Sequence, residues 1–270
     1  MRTAHLAMAA LVTATLALVP CTARAAGAFD GTWKMNLTHV KLSTKPIVWV
    51  LANGMYTCTS CAPPTFSVKA DGTDQKVTGH SFDTLAVTVD GNTVQTVSKL
   101  HGKVINSTKC VVAGDSIARE FTDLTGAQPF VEKMTLSRVS AGPPGSHPFS
   151  GLWRVTKIDS ESEAGSTTTY GITDDGFTMS SNGQSYDAKF DGNKYPVVGD
   201  PTKVSVTVKK LSPTAVEERD YRDGKLLDIV HQSVTADGKT IHGIDTAVRV
   251  GRTSRYTLDR VSGPAPVAGH

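Results

Sequence analysis

Phe29-Asp30-Gly31-Thr32-Trp33 returns as Phe149-Ser150-Gly151-Leu152-Trp153, and Met134-Thr135-Leu136-Ser137-Arg138-Val139 returns as Tyr256-Thr257-Leu258-Asp259-Arg260-Val261. The openings lie 120 residues apart and the closings 122, so two copies of nearly equal length follow one another. The punctuation between them matches too: Asn53-Gly54 with Asp175-Gly176, Asp71-Gly72 with Asp191-Gly192, and Gly102-Lys103 with Gly224-Lys225. Such pairs tolerate positive φ and mark hairpins. The intervening segments are rich in Val and Thr and alternate in polarity, as in Leu85, Val87, Val89 and Val204, Val206, Val208. That period belongs to strands with one face buried.

The pattern predicts nine strands in each copy, from 31–37 to 131–138 and from 151–158 to 254–261, with no sustained helical period. The expected fold is all-β, two tandem antiparallel up-and-down β-barrels, because a long strand series with one apolar face closes to remove its edges. The expected organisation is a signal peptide at 1–25, repeat 1 at 26–139, a linker at 140–148, repeat 2 at 149–261 and a disordered tail at 262–270. The linker, Ser-Ala-Gly-Pro-Pro-Gly-Ser-His-Pro, offers little to bury and is expected not to pack.

The Gly-x-Trp openings resemble those of lipocalins and their calycin relatives, including fatty-acid-binding proteins. The resemblance implies that Trp33 and Trp153 plug one end of a barrel, and that Arg138 and Arg260, near the end of each copy, pack across them. Each Trp would then meet the Arg of its own copy, and Trp153→Ala would destabilise copy two. The family's ligand contacts vary, so the resemblance implies no particular binding residue. The alternative is that both tryptophans are ordinary core residues.

Residues 1–25 read as a secretory leader: Arg2, an apolar stretch over 6–19, and Ala23-Arg24-Ala25 as a small-x-small cleavage site. The stretch falls short of the roughly 20 residues that span a bilayer. Cys21 raises lipid attachment, but Pro20 stands where bacterial lipoproteins usually carry a small residue. Cleavage removes two arginines and no acid, lowering the formal charge from +3 to +1, which is no footprint for nucleic acid. A periplasmic or secreted protein without a membrane span is expected.

Cys58 and Cys61 form a Cys-x-x-Cys where copy two has Ser180 and Gly183. A local disulfide suits an oxidising compartment. Redox catalysis would want a helix after the pair, and Pro63-Pro64 follows instead; zinc would want four ligands, and Cys110 is the one further thiol in the expected barrels. Cys110 itself is expected to be buried on a strand. Gly114-Asp115-Ser116 resembles one hydrolase motif, but it aligns with Ala236-Asp237-Gly238, a hairpin turn. His80, His231 and His242 pair with no acid at ligand spacing.

The run Glu217-Glu218-Arg219-Asp220-Tyr221-Arg222-Asp223 puts charge on both faces of one strand. It marks either a solvated edge or a polar lumen for an anionic or hydroxylated ligand. Tyr186, Phe190, Tyr195 and Tyr221 cluster in copy two and are the expected ligand-binding residues, with a filled core as the alternative. The resulting expectation is a non-catalytic binding protein for a small apolar or amphipathic molecule, with no cofactor and no metal. Two other classes stay open: a structural or protein-interaction module, including an inhibitor, that uses the Cys58–Cys61 loop, and an enzyme with a polar lumen.

Overall fold

The computed structural model describes residues 26–263, and the expected leader and the tail beyond 263 lie outside the described residues. The first copy contributes β1 (Gly31–Met35), β2 (Ile47–Ala52), β3 (Met55–Cys58), β4 (Phe66–Lys69), β5 (Gln75–Lys76), β6 (Thr84–Asp90), β7 (Thr93–Leu100), β8 (Lys103–Ala113), β9 (Ser116–Asp123) and β10 (Phe130–Ala141). The second contributes β11 (Gly151–Glu161), β12 (Thr167–Ile172), β13 (Gly176–Ser181), β14 (Gln184–Lys189), β15 (Tyr195–Pro196), β16 (Ser205–Ser212), β17 (Ala215–Arg222), β18 (Lys225–Val234), β19 (Thr240–Ala247) and β20 (Arg252–Ser262). Each expected strand is present, shifted by at most a few residues. The two-residue β5 and β15 are additional, too short for any alternation to register. One 3-10 turn, Leu37–His39, is capped by Asn36, whose Oδ1 accepts from the Thr38 N–H at 3.1 Å.

The strands form two ten-stranded, nearly closed antiparallel sheets, and the sheets exchange their opening strands. Barrel I runs β4-β3-β2-β11-β10-β9-β8-β7-β6-β5, and barrel II runs β14-β13-β12-β1-β20-β19-β18-β17-β16-β15. Barrel II is stitched shut by reciprocal backbone bonds between Ser185 and Val198, of 3.0 and 2.8 Å. The opening strand of copy two, β11, thus sits between β10 and β2 of copy one, and β1 sits between β20 and β12 of copy two. A barrel is therefore not a repeat: barrel I is the continuous stretch 47–161, and barrel II is 167–262 plus β1.

The expected linker explains the exchange. It does not hang free but turns the chain in a hairpin, so that Ala141 pairs directly with Gly151. Short connections deliver a strand to its antiparallel neighbour. The His147 N–H donates to the Leu51 carbonyl at 2.9 Å, its ring contacts the Gly91 carbonyl at 2.8 Å, and Ser150 bonds the Leu51 backbone. The barrels are joined instead by 36–46 and 162–166.

Each barrel has its own apolar core. Trp49, Leu51, Val87, Ile117, Leu136, Phe149 and Trp153 are among the buried residues of barrel I, and Phe29, Trp33, Phe177, Val206, Val208, Ile241 and Leu258 among those of barrel II. Opposite the tryptophan ends the two barrels meet mouth to mouth. The Asn182 side chain accepts from the Gln128 N–H at 3.0 Å and donates to its carbonyl at 2.9 Å, and Lys45 donates to the Val250 carbonyl at 2.7 Å. Gly183 permits this approach: its φ is +78°, and a Cβ there would stand 2.6 Å from the Ala127 methyl.

Candidate functional site

The two ends of each barrel differ in kind. At the closed end of barrel II, Trp33 is fully buried, its indole N–H donates to the Phe29 carbonyl at 2.9 Å, and the Arg260 guanidinium lies 4.0 Å from its ring centre. Barrel I repeats this with Trp153, Phe149 and Arg138, at the same 2.9 and 4.0 Å. Tryptophan and arginine pair within a barrel but across the copies, Trp33 with Arg260 and Trp153 with Arg138, which corrects the within-copy pairing read from the sequence. Arg138 also donates to Asp115 Oδ1 at 2.9 Å and to the Gly114 carbonyl at 3.1 Å. The Gly114-Asp115-Ser116 triplet is thus part of the plug. These ends are filled by the packed tryptophan, phenylalanine and arginine side chains.

The open ends face one another, and three cavities that share lining residues lie there. A cavity of about 260 Å³ inside barrel I is lined by Trp49, Tyr56, Phe66, Phe82, Cys110 and Arg119, among others. One of about 380 Å³ follows at the seam, between Phe66, His80 and Phe82 of barrel I and Arg222, Asp228 and Arg249 of barrel II. Another of about 310 Å³ lies between Asn106 and Asp123 of barrel I and Asp200, Glu218, Asp220 and Arg222 of barrel II. Asn106 is common to the first and third, Phe66 and Phe82 to the first two.

Strand register shows how the copies diverged inside. The inward rungs Thr96, Ser98, Asn106 and Phe121 of barrel I correspond to Glu218, Asp220, Asp228 and Asp245 of barrel II, because the cross-strand pairs Ser98 with Asn106 and Thr108 with Phe121 match Asp220 with Asp228 and Val230 with Asp245. Where barrel I has Arg119, opposite Cys110, barrel II has Gly243, opposite Gln232. One scaffold thus carries a guanidinium in one lumen and four carboxylates in the other.

In barrel I, Arg119 is the one charged side chain lining the lumen cavity. Its Nε is buried without a hydrogen-bond partner, Nη1 reaches only the Met134 sulfur at 3.9 Å, and its guanidinium lies 5.5 Å from the Phe121 ring centre. Among the described residues no carboxylate forms an ion pair with it. Burial pushes the Glu132 carboxyl up and the Arg119 charge pulls it back, so the two sense each other without pairing. Burial also raises the Cys110 thiol to about 11, partly offset by Arg119, which makes it a packing group rather than a nucleophile.

Barrel II grades from apolar to ionic along its axis. Above the plug, Gln232 donates to the hydroxyls of Tyr170 and Tyr256, both at 3.0 Å, and Tyr186 donates to Glu218. Nearer the mouth come Asp220, Asp228 and Asp245. Burial, then the charge of Glu218, raises Asp220 to about 9; burial, then the charge of Asp228, raises Asp245 to about 6. Burial likewise raises Glu218 and Asp228, the latter held back by Arg222. The run 217–223 is therefore no solvated edge. Glu218, Asp220 and Arg222 point inward, while Glu217 faces out to Arg219 and His231, at 2.7 and 2.8 Å. The run therefore lines the lumen with carboxyls whose protons burial holds, beside the single guanidinium of Arg222.

Of the four expected ligand residues, only Tyr186 is buried in the lumen. Phe190 and Tyr195 are half-buried against the core, with Lys210 near the Phe190 ring and the Tyr195 hydroxyl on Asp191 at 2.8 Å. Tyr221 faces outward under Lys194, 4.0 Å from its ring centre. The structure does not bring the four together, because Tyr221 lies one residue out of phase with the inward rungs. Sequence reasoning passed over Arg119, Asp228 and Asp245; alternation within β8, β9, β18 and β19 was the signal available for them.

Cys58 and Cys61 form a disulfide, and Cys61 borders both the barrel I lumen and the seam. Their loop is not a free tip: Arg249 of barrel II donates to the Pro63 carbonyl. His80 bonds the Pro64 carbonyl at 2.9 Å and stacks on Phe82. A larger groove, about 810 Å³, lies on the outer wall of barrel II beneath 38–41, lined by His39, Lys41, His231, His242 and Arg255. Among the described residues no set of three or more His, Cys, Asp or Glu is arranged to hold a metal ion, and no helix is long and apolar enough to cross a membrane. No protein-family model, curated protein or solved structure matches the chain.

Proposed function

We propose that this is an extracytoplasmic, non-catalytic binding protein that holds a small amphipathic acid in barrel I, its apolar part among Trp49, Tyr56, Phe66 and Phe82 and its acid group on Arg119. The observation that carries this reading is the Arg119 guanidinium, lining an aromatic cavity with a buried, unpartnered Nε. A buried charge without its counter-ion is costly, and a bound carboxylate removes that cost through charge-assisted hydrogen bonds. The lipocalin-type likeness of the plugs, the leader read from the sequence and the disulfide support the same reading. The interaction-module reading is weaker because the Cys58–Cys61 loop is tied down, Ser60 by the Val48 N–H of its own barrel and the following Pro63 by Arg249. A polar-lumen enzyme draws on the raised carboxyls of barrel II, but Glu218 there is tied to Tyr186.

The test has two steps. Mass spectrometry of molecules extracted from protein purified from its own envelope should find a stoichiometric amphipathic acid. Titration with decanoate should then give binding that Arg119→Met weakens about 10- to 100-fold, the equivalent of roughly 1.5–3 kcal/mol for a hydrogen bond to a charged group. Equal affinities in the two proteins would remove the reading, and an empty protein that co-purifies with another polypeptide would favour the interaction module.

A further inference from the structure

Outside the lumens, one rung of the outer wall differs between the barrels. Cross-strand register sets Lys109, Glu120 and Lys133 side by side in barrel I, where Lys133 Nζ lies 3.3 Å from Glu120. The same rung of barrel II reads His231, Ile244 and Arg255, and Lys41 continues it beyond Arg255. Isoleucine thus stands where barrel I keeps its acid, and two cations become direct neighbours, an arrangement that costs stability. Among the described residues neither Lys41 nor Arg255 forms an ion pair. The backbone turns this rung into a groove. In barrel I, β11 stays paired with β10 as far as Glu161, whereas β1 leaves β20 after Met35, arches through the 3-10 turn and returns at Lys41. There the Lys41 N–H donates to the Arg255 carbonyl at 2.7 Å, and the Arg255 N–H donates to the Lys41 carbonyl at 2.9 Å. Beneath the arch lies the space of about 810 Å³, with Val40, Leu211 and Ile244 as its apolar lining. The one acid on it, Asp259, accepts from Asn36 Nδ2 at 2.7 Å, and His231 turns away to Glu217 at 2.8 Å.

We propose that this groove is a second binding site, separate from the barrel I lumen, for a soluble phosphate monoester with an apolar body. Its phosphate lies between Lys41 and Arg255, and its body lies on Val40, Leu211 and Ile244. The phosphate supplies the negative charge that Glu120 supplies to Lys133 in barrel I, through the charge-assisted bonds that a guanidinium and an ammonium make to phosphate oxygens. Two adjacent cations match a dianion better than a single carboxylate. Because the side chain in the acid's place is apolar, a bare phosphate ion would leave Ile244 and the half-exposed Leu211 uncovered. The groove has the size of sites that take small organic molecules. A bilayer surface is a poorer match, since the groove is concave and overhung by 38–41.

The experiment is fluorescence titration of the purified protein with 1-naphthyl phosphate at low salt, with inorganic phosphate as competitor and with phosphatidylcholine vesicles with and without phosphatidate as a separate arm. Wild type and Arg119→Met should bind the probe equally. Ile244→Glu, which restores the rung of barrel I, and Lys41→Gln/Arg255→Gln should each weaken it about tenfold or more, the loss of charge-assisted bonds. Thermal transitions check that each variant is folded, and Ile244→Glu, which places an acid beside Arg255 on an outer wall, should keep that of wild type. Inorganic phosphate should compete only at about tenfold or more higher concentration, since it lacks the apolar body. A loss in Arg119→Met with Ile244→Glu unaffected would place the probe in the lumen and overturn the second site, as would no binding at all. Equal competition by inorganic phosphate would overturn the apolar body. Attachment to phosphatidate vesicles without binding of naphthyl phosphate would overturn the soluble occupant.

Discussion

Truncating Trp153 to alanine should loosen barrel I, built almost wholly from copy one, although Trp153 belongs to copy two. The side chain is fully buried, donates its N–H to the Phe149 carbonyl at 2.9 Å, and has Arg138 over its ring at 4.0 Å. Removing a buried aromatic costs about 3–5 kcal/mol, and loss of a desolvated cation–π contact adds up to about 2 kcal/mol. Against a typical domain stability of about 5–15 kcal/mol, that is a large fraction of what holds barrel I together. Hydrogen–deuterium exchange read by segment is the assay. In Trp153→Ala the amides of 47–141 should exchange faster while those of 167–262 stay protected, and Trp33→Ala should give the mirror image. Faster exchange in 167–262 for Trp153→Ala, with 47–141 unchanged, would refute the strand exchange and restore the simple tandem arrangement.

Four other outcomes follow from the lumens. Asp220 and Asp245 hold protons more tightly when folded, so folding is most favoured below their ordinary carboxyl range; the advantage is lost as pH rises, through about 6 for Asp245 and about 9 for Asp220. Denaturant midpoints of barrel II should therefore fall between pH 5 and pH 8, by at most about 1.4 kcal/mol per pH unit for each extra proton held, and Asp220→Asn/Asp245→Asn should flatten that slope. Arg119→Met should raise the melting temperature of ligand-free protein while weakening decanoate binding, because it removes a half-buried cation whose Nε lacks a hydrogen-bond partner; a lower melting temperature would mean that the Phe121 and Met134 contacts of Arg119 outweigh that cost. A Cβ at Gly243 would lie 2.1 Å from the Tyr256 ring, so Gly243→Ala should destabilise barrel II by about 1–3 kcal/mol in equilibrium unfolding. Cys110, buried and raised to about 11, should resist alkylation in the native protein and react on unfolding, a contrast that thiol counting by mass spectrometry measures.

The repeat, the all-β class and the strand boundaries were legible in the sequence because they rest on local physics. Alternation sets which face of β6 or β16 is buried, and Asn-Gly and Asp-Gly pairs set where the chain turns. The components of the plug were legible for a related reason, since Gly-x-Trp and a late arginine recur in each copy. Which arginine covers which tryptophan was not, because both copies carry the same set and sequence similarity cannot separate partners within a copy from partners across copies. The packing of 142–150 into a hairpin decided that question by placing β11 beside β10. The charge of the lumens was encoded in the alternation, yet it became visible only once cross-strand register aligned Arg119 with Gly243 and Ser98 with Asp220. The seam where the two mouths meet is set by tertiary contacts such as Asn182 on Gln128 and Arg249 on Pro63, between residues far apart in the chain. Local sequence determined the strands and the repeated closed ends; only the tertiary structure showed that the 142–150 hairpin exchanges the opening strands, and long-range packing brought a guanidinium-bearing and a carboxyl-lined lumen together.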